Sequence, residues 1–294
     1  MYETYKHVVI FGVDGAGQFF RDADTPNFDR IFVNGNGAYT YDALTANPPS
    51  SAECWASMMT GVQPKLHKRD NEKLRYEKYP VDGPYPTIFR RIREADPDAE
   101  LGAFCDWTPI IRGLVEANAA VMCCSDPDYK LMDKTCRYIK KHRPTLLYIH
   151  CDSCDHEGHA SGYGEKEQLK QIHTVDGYVG QVYDAVCEAG MLEDTLFMMV
   201  CDHGGTCYPR EDGTGFWGVH GGWTDGEKKI TFGARGKTVI PGKINEMTIR
   251  DIAAIVLYAF DMPIPSFDIN GWTAQLPKGL FSGISSDYIT VPHA

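Results

Sequence analysis

The chain lacks the features that carry a protein into or across a membrane. No apolar run approaches the roughly 20 residues that a transmembrane helix needs. Residues 1–7 lack the basic-then-apolar order of a signal peptide, and residues 7–13 have the pattern of a strand instead. We therefore expect no membrane partner, and a mature chain that begins at or near Met1 and stays in the cytoplasm.

Positive charge is also scarce. The sequence has 29 Lys and Arg against 40 Asp and Glu, which gives a net charge of −11 at pH 7. So acidic a protein repels the phosphate backbone of long nucleic acids, which excludes a nucleic-acid polymer as the partner. A small anionic substrate stays compatible, because bound metal cations would reverse the local sign of the charge.

Repeats, low-complexity stretches and long linkers are absent from the sequence. We therefore expect residues 1–294 to form a single domain, with the loop-rich residues 71–86 and the tail after Pro277 as peripheral pieces. The ten cysteines are scattered through a chain with no export signal, so we expect most of them to be reduced and buried.

Short apolar runs alternate with helical patterns along the chain. The predicted strands are residues 8–13, 102–104, 145–149, 195–200 and 230–232. Apolar spacings of three and four predict helices over residues 127–141, 169–186 and 247–260. This alternation is typical of an α/β fold with a mostly parallel central sheet and helices on both faces.

Three of the predicted strands lead into acidic and imidazole side chains. These side chains are Asp14, the pair Asp155 and His159, and the pair Asp202 and His203. Because the carboxyl ends of parallel strands meet at one edge of a sheet, we expect these groups to converge there. The glycine-rich residues 218–222 add His220, since glycine allows the tight turn that presents it.

Each of these features also has a purely structural interpretation. An aspartate after a strand often forms a turn or caps a helix, and a single histidine is often only a hydrogen-bonded core residue. Their joint occurrence at strand ends and glycine-rich turns favours a shared site.

Ser51 lies in a different kind of segment. Residues 47–61 read as a loop, a short helix from Ala52 and a stop at Gly61, which places Ser51 at the helix N-cap. Capping alone would explain a serine there. The same position faces the positive end of the helix, which suits a phosphate, and a nearby metal ion would favour the attacking alkoxide.

Together these segments resemble the ordered motif set of the alkaline phosphatase superfamily. The matching segments are Asp14, residues 51–61, Asp155-x-x-x-His159, Asp202-His203-Gly204 and His220-Gly221. The type I phosphodiesterase/nucleotide pyrophosphatase branch is the most similar, and the resemblance runs from Asp14 to about Phe260. It implies an alkaline-phosphatase-like fold without a large inserted cap, and a metal-dependent hydrolase of small phosphoric esters.

The resemblance also implies two metal sites. One would use Asp14, Asp202 and His203, with Ser51 as the nucleophile on that metal, and the other would use Asp155, His159 and His220. Mixed carboxylate and imidazole ligation suits zinc and tolerates manganese or iron. Two ions about 4 Å apart would clamp the attacking and leaving oxygens while Ser51 forms a phosphoseryl intermediate.

The nucleophile segment departs from the pattern of the branch. Many members have a threonine followed by a proline two residues later, and often an asparagine, whereas this chain reads Ser51-Ala52-Glu53-Cys54. Glu53 would repel a doubly charged ester or hold a substrate amine, or else it is only a first-turn acid favoured by the helix dipole. A phosphodiesterase is the prediction; a phosphomonoesterase, a phosphonate hydrolase and a non-catalytic metal-binding homologue remain open.

Other interpretations explain less of the sequence. A zinc clip of Cys151, Cys154, His156 and His159 has too short a spacing for a zinc finger and leaves the other acidic and imidazole groups unexplained. Sulfatases need a Cys- or Ser-x-Pro-x-Arg segment, and residues 51–55 of this chain have neither the proline nor the arginine. Only 103 residues separate Ser51 from Asp155, and only 42 separate His159 from Asp202, which leaves little room for the inserted cap of the mutases.

Overall fold

A sheet of eight strands, flanked by helices, organises the computed structural model, which describes residues 4–283. The strands are β1 (His7–Val13), β2 (Ala38–Leu44), β3 (Leu101–Cys105), β4 (Met122–Cys124), β5 (Leu146–Cys151), β6 (Thr195–Cys201), β7 (Thr206–Pro209), β8 (Phe216–Val219), β9 (Lys229–Arg235) and β10 (Gly242–Lys243). The α-helices are α1 (Pro26–Phe28), α2 (Ser51–Thr60), α3 (Pro64–His67), α4 (Asn71–Tyr76), α5 (Ile88–Ala95), α6 (Pro109–Leu114), α7 (Asp128–His142), α8 (Ser153–Ser161), α9 (Lys166–Glu188), α10 (Asp225–Lys228) and α11 (Asp251–Ala259).

The strand order in the sheet is β10-β2-β9-β6-β1-β5-β3-β4, and β7 and β8 form a separate hairpin. Neighbours in the large sheet are parallel except β9, which runs antiparallel to β2 and to β6. The α/β class with a mostly parallel central sheet is therefore confirmed.

The register of the central strands brings three chain segments together. Val13, the last residue of β1, pairs with Cys151 of β5 on one side and with Cys201 of β6 on the other. The residues that follow these three strands, Asp14 among them, therefore emerge side by side at one edge. β5 and β6 are buried along their whole length, as expected of parallel strands covered on both faces, so this edge has a firm apolar support.

Most predicted elements appear with shifted ends. The strand predicted over residues 230–232 is β9, but it is antiparallel. The helix predicted from residue 247 begins only at Asp251, whose carboxylate accepts a hydrogen bond from the backbone N–H of Thr248 at 2.7 Å. Residues 71–86, predicted as a loop, begin with α4, and the part of the predicted tail beyond residue 283 lies outside the described residues.

One boundary corrects the prediction for the nucleophile segment. Helix α2 begins at Ser51 itself, with Ser50 as its N-cap in an extended conformation, so Ser51 is the first helical residue and not the cap. The stop at Gly61 was predicted, and this residue has the left-handed φ of 74° that favours glycine. Single-domain organisation stays a prediction.

All ten cysteines are free thiols, and five of them are buried. In the part of the chain that the structure describes, no helix combines the length and apolar character needed to span a membrane.

Candidate active site

Asp14, Asp202 and His203 form a fully buried group at the carboxyl ends of β1 and β6. The Nε2 atom of His203 lies 3.4 Å from Asp14 Oδ1 and 3.4 Å from Asp202 Oδ2. One oxygen or nitrogen from each of the three side chains lies within 4.8 Å of the other two, close enough for a single metal ion to contact all three. The structure thus brings the first predicted ligand set together.

Ser51 faces this group from the first turn of α2. Its Oγ donates a hydrogen bond to Asp14 Oδ1 at 3.2 Å and lies 3.2 Å from Nε2 of His203. The side chain is 7% exposed, so the hydroxyl is largely shielded from bulk water. At the same helix terminus, the backbone N–H of Ala52 donates to Oδ1 of Asn71 at 3.0 Å, which holds the start of α4 against the start of α2.

Asp155 and His159 lie four residues apart on α8, a spacing that places both side chains on one face. His159 Nε2 is 3.4 Å from Asp155 Oδ2, and His220 Nε2 is 3.9 Å from Asp155 Oδ1. The rings of His203 and His220 are stacked with centroids 4.0 Å apart, and Asp155, His203 and His220 form a second group within 4.8 Å. The two predicted ligand sets are therefore contiguous, although this second group contains His203 where the prediction had His159.

The three histidines share one orientation. Each places Nδ1 within hydrogen-bond distance of a backbone carbonyl: His203 with Gly204 O at 2.9 Å, His159 with Gly218 O at 2.9 Å, and His220 with Pro49 O at 3.0 Å. A carbonyl oxygen only accepts, so Nδ1 carries the proton and Nε2 faces the carboxylates. Metal-ligating histidines are held in this way by an outer hydrogen bond.

Asp14 is held by two further buried donors. Its Oδ2 accepts from Trp55 Nε1 at 3.0 Å and from His150 Nε2 at 2.9 Å, so its Oδ1 is the oxygen that faces Ser51. Sequence reasoning missed His150. The available signal was an imidazole inside the otherwise apolar run of β5, immediately before the segment that carries Asp155.

The three carboxylates of the site have pKa values shifted in different directions, although burial raises all three. Burial and the neighbouring Asp14 raise the pKa of Asp202 well above its ordinary value. Burial also opposes ionisation of Asp14, but the hydrogen bond from His150 and the nearby His203 lower its pKa below the ordinary value. Burial likewise opposes ionisation of Asp155, yet the hydrogen bond with His159 and the charge of His203 lower its pKa.

The same charges act on the histidines. The hydrogen bond to Asp155 raises the pKa of His159 to about 9, against the effect of burial. Burial and His203 lower the pKa of His220 to about 4, which keeps its imidazole neutral at pH 7. Tyr163 donates to Asp155 Oδ1 at 2.6 Å and fixes that carboxylate from the other side.

The donor set fits divalent cations. Oδ2 of Asp202 is buried and has no hydrogen-bond partner among the described residues, and a buried anionic oxygen without a partner is costly. A cation between these groups would compensate both the missing partner and the repulsion between carboxylates. Carboxylate oxygens mixed with imidazole nitrogens are the ligands that zinc uses.

The alternative zinc clip is not supported. Cys151 and Cys154 are buried and His156 is exposed. No candidate metal group found among residues 4–283 contains a cysteine.

Comparisons with known proteins agree with this geometry. Residues 102–219 match the family model of type I phosphodiesterase/nucleotide pyrophosphatase, a stretch that includes Asp155, His159, Asp202 and His203. The fold is similar to that of murine and human ectonucleotide pyrophosphatase/phosphodiesterase 5, each with a TM-score of 0.70 and 13% identity over 88% of this chain and 96% of that chain. An inactive Thr-to-Ala variant of the murine protein, solved in complex with AMP, matches equally well.

A search of curated protein sequences gives no match. The sequence match covers the middle of the chain, whereas the structural likeness covers most of it and shows the fold. The resemblance expected from the motifs is thus confirmed at the level of the family model: over residues 102–219 the chain is similar to the type I phosphodiesterase/nucleotide pyrophosphatase family.

Proposed function

We propose that the chain is a two-metal phosphoric ester hydrolase of the phosphodiesterase/nucleotide pyrophosphatase type that acts through Ser51. One observation carries the proposal: three histidines direct Nε2 toward the carboxylates of Asp14, Asp155 and Asp202 while backbone carbonyls hold their Nδ1 atoms. A purely structural cluster would gain nothing from an unprotonated Nε2 that faces a carboxylate, as the Nε2 of His220 faces Asp155. A metal centre needs that arrangement.

The proposed ligands fall into two sets. Asp14, Asp202, His203 and Ser51 would hold one divalent ion, and Asp155, His159 and His220 would hold the other. Zinc suits these ligands, and manganese is also compatible. Two such ions would neutralise the carboxylates and the charge that develops on the phosphoryl oxygens.

Ser51 is the proposed nucleophile. Its hydroxyl loses a proton as Oγ forms a bond to phosphorus, the bond from phosphorus to the leaving alkoxide breaks, and the leaving oxygen takes up a proton, so that no net proton is consumed. Water then attacks the phosphoseryl group, the bond from phosphorus to Oγ breaks, and a phosphomonoester or phosphate is released. Asn71 lies at the same helix terminus, where its Oδ1 accepts from the backbone N–H of Ala52, and we propose that its Nδ2 donates to a phosphoryl oxygen.

A diester is the favoured substrate because the nucleophile segment is acidic. Glu53 follows Ser51 by two residues, and its Oε2 is buried without a hydrogen-bond partner among the described residues. A partly desolvated acid at this position disfavours a doubly charged monoester more than a singly charged diester. The complex of the murine relative with AMP supports a nucleotide-type substituent on the ester. We therefore propose a small phosphate ester as the substrate. We also propose that the enzyme is cytoplasmic.

Hydrolysis of bis-p-nitrophenyl phosphate and of p-nitrophenyl phosphate, with zinc or manganese added, tests the proposal. We expect the diester to be preferred, and a preference of tenfold or more for the monoester would overturn this part. Ser51→Ala should lower kcat by at least about 1000-fold while metal content persists, since the hydroxyl supplies the attacking atom.

Ser50→Ala is the matched control. Ser50 is the neighbouring hydroxyl, and its side chain makes no capping hydrogen bond. We expect this variant to keep kcat within a few-fold of the unmodified protein. A Ser51→Ala variant with an unchanged rate would refute the assignment of the nucleophile, and a metal-loaded protein inactive on both esters would favour a non-catalytic homologue.

A further inference from the structure

A cavity of about 240 Å³ lies at the carboxyl end of β2, on the same edge of the sheet as the candidate active site. The cavity wall includes the side chains of Thr45, Asn47, Gln63, Trp223, Thr248 and Arg250. All six side chains can donate a hydrogen bond, and none is acidic. The wall of this cavity therefore carries positive charge, whereas the net charge of the whole chain is −11.

Arg250 is the cation of this cavity. Its Nε is buried without a hydrogen-bond partner, and no carboxylate oxygen of the described residues lies within 4.0 Å of its guanidinium. Burial lowers the pKa of Arg250, and the charge of Asp251 only partly offsets this effect. The Asp251 carboxylate accepts instead from the backbone N–H groups of Thr248 and Gln275, at 2.7 and 2.8 Å.

Thr248 provides an independent observation. The residue is 7% exposed, and its hydroxyl is buried without a hydrogen-bond partner although it belongs to the cavity wall. A buried hydroxyl and a buried guanidinium nitrogen that lack a protein partner are costly to leave unpaired. Both become satisfied when an anion with several acceptor oxygens enters.

The cavity is linked to the candidate active site through Thr45. The Thr45 hydroxyl contacts the backbone oxygen of Asp202, and the chain continues through residues 46–50 to Ser51. β2 lies three strand positions from β1, a separation of about 14 Å at ordinary strand spacing. A ligand with its phosphoryl group at Ser51 would need to extend by roughly this distance or less to reach Arg250.

We propose that this cavity binds an anionic group, a carboxylate or a phosphate, at the far end of the substrate whose phosphoryl group is attacked by Ser51. The inference rests on the proposed function for the position of the phosphoryl group. Arg250 and Thr248 contact the anion, and the half-exposed indole of Trp223 covers the connecting part of the substrate. The substrate class is a phosphoric ester with a second negative charge remote from the scissile bond.

Calorimetric titration of the metal-loaded protein tests this binding without turnover. The ligands are ω-phosphonoalkanoates of three to eleven carbons, each compared with the uncharged-tail alkylphosphonate of equal length. We expect at least one carboxylate ligand of intermediate or greater length to bind ten- to a hundredfold more tightly than its alkyl counterpart, as charge-assisted hydrogen bonds allow. The three-carbon pair, which is too short to reach, should show no such preference.

Arg250→Met should abolish the preference for the carboxylate tail and leave binding of the alkylphosphonates unchanged. Arg91→Met is the matched control, because Arg91 also has a buried, unpartnered Nε but lies over the Trp272 ring outside this cavity. Thr248→Val keeps the branched shape and removes the hydroxyl, and a loss of about threefold or more in the preference is expected. If Arg250→Met does not fold, the preference for the carboxylate ligand measured with Thr248→Val tests the inference on its own.

Absence of the preference at every length, whether both ligand series bind or neither does, overturns the inference. So does equally tight, Arg250-dependent binding of hexanoate alone, which would assign the cavity to a free anion. Hydrolysis of bis-p-nitrophenyl phosphate by the same preparation keeps the two proposals separate. If the protein hydrolyses the diester but shows no preference for the carboxylate tail, only the proposed anion site is wrong. If it shows the preference but does not hydrolyse the diester, only the proposed hydrolase function is wrong.

Discussion

His67 stabilises the fold only while its ring is neutral. Its Nδ1 accepts a hydrogen bond from the backbone N–H of Arg69 at 3.0 Å, so Nε2 carries the proton and donates to Ser57 Oγ at 3.0 Å. Ser57 lies on α2, the helix that carries Ser51, and His67 is 7% exposed. Protonation would place a second hydrogen on Nδ1 against the Arg69 N–H, with no water to solvate the charge.

The pKa of His67 gives the size of the effect. Burial lowers the pKa from 6.5 to about 3 in the folded protein. Below pH 6.5 the His67 side chain takes up a proton in the unfolded chain but stays neutral in the native state. The contribution of neutral His67 to the free energy of unfolding is therefore complete above pH 6.5 and is lost as the pH falls toward 3. The loss is about 1.4 kcal/mol per pH unit, or about 2.7 kcal/mol between pH 6.5 and pH 4.5.

Urea unfolding of the unmodified protein and of His67→Asn, followed by tryptophan fluorescence in a chelator from pH 7.5 to 4.5, measures this contribution. The asparagine oxygen can still accept from Arg69 but does not titrate. The free energy of unfolding of the unmodified protein should fall relative to that of the variant by about 2–3 kcal/mol over this range. Ser57→Ala should lower stability at all pH values without changing the slope. Parallel curves for the unmodified protein and His67→Asn would refute the reasoning.

Three further substitutions test the candidate site. Gly15→Ala should destabilise the protein by about 2 kcal/mol or more in urea unfolding, since Gly15 has φ +69° and an added Cβ would lie 2.5 Å from Cα of Asp155; an unchanged midpoint would contradict this. His150→Leu should lower zinc affinity about 10- to 100-fold by equilibrium dialysis, because Asp14 loses a donor, and full affinity would remove His150 from the metal centre. Asn71→Ala should lower kcat/KM for the diester by tenfold or more with metal content intact, and a change of less than twofold would remove Asn71 from the site.

The convergence of the site was predictable because it follows from strand register. Asp14 and Asp202 directly follow apolar runs, and parallel strands of equal length end at one edge. The spacing of Asp155 and His159 carried similar information, since a difference of four residues brings two side chains together on a helix. Local sequence therefore contained most of the geometry of these groups.

Sequence did not reveal contacts made at long range by single atoms. His150 appeared as one polar residue in a buried run, and only the pairing of β1 with β5 places its ring against Asp14. Asn71 lies 20 residues after Ser51 in a stretch that was read as a loop. The antiparallel direction of β9 was also missed, because a short apolar run has the same pattern in either direction.

The hydrogen bond of His220 shows why the two predicted metal sites form one unit. Its Nδ1 is held by the carbonyl of Pro49, two residues before Ser51, while its Nε2 faces Asp155 on α8. The loop that carries Ser51 to one proposed ligand set therefore also orients a histidine of the other set. A shift of this loop would displace the proposed nucleophile and a proposed ligand of the second ion together, so both positions depend on a single backbone segment. Gly218, Gly221 and Gly222 permit many backbone conformations near His220, so the sequence around His220 does not by itself predict this contact.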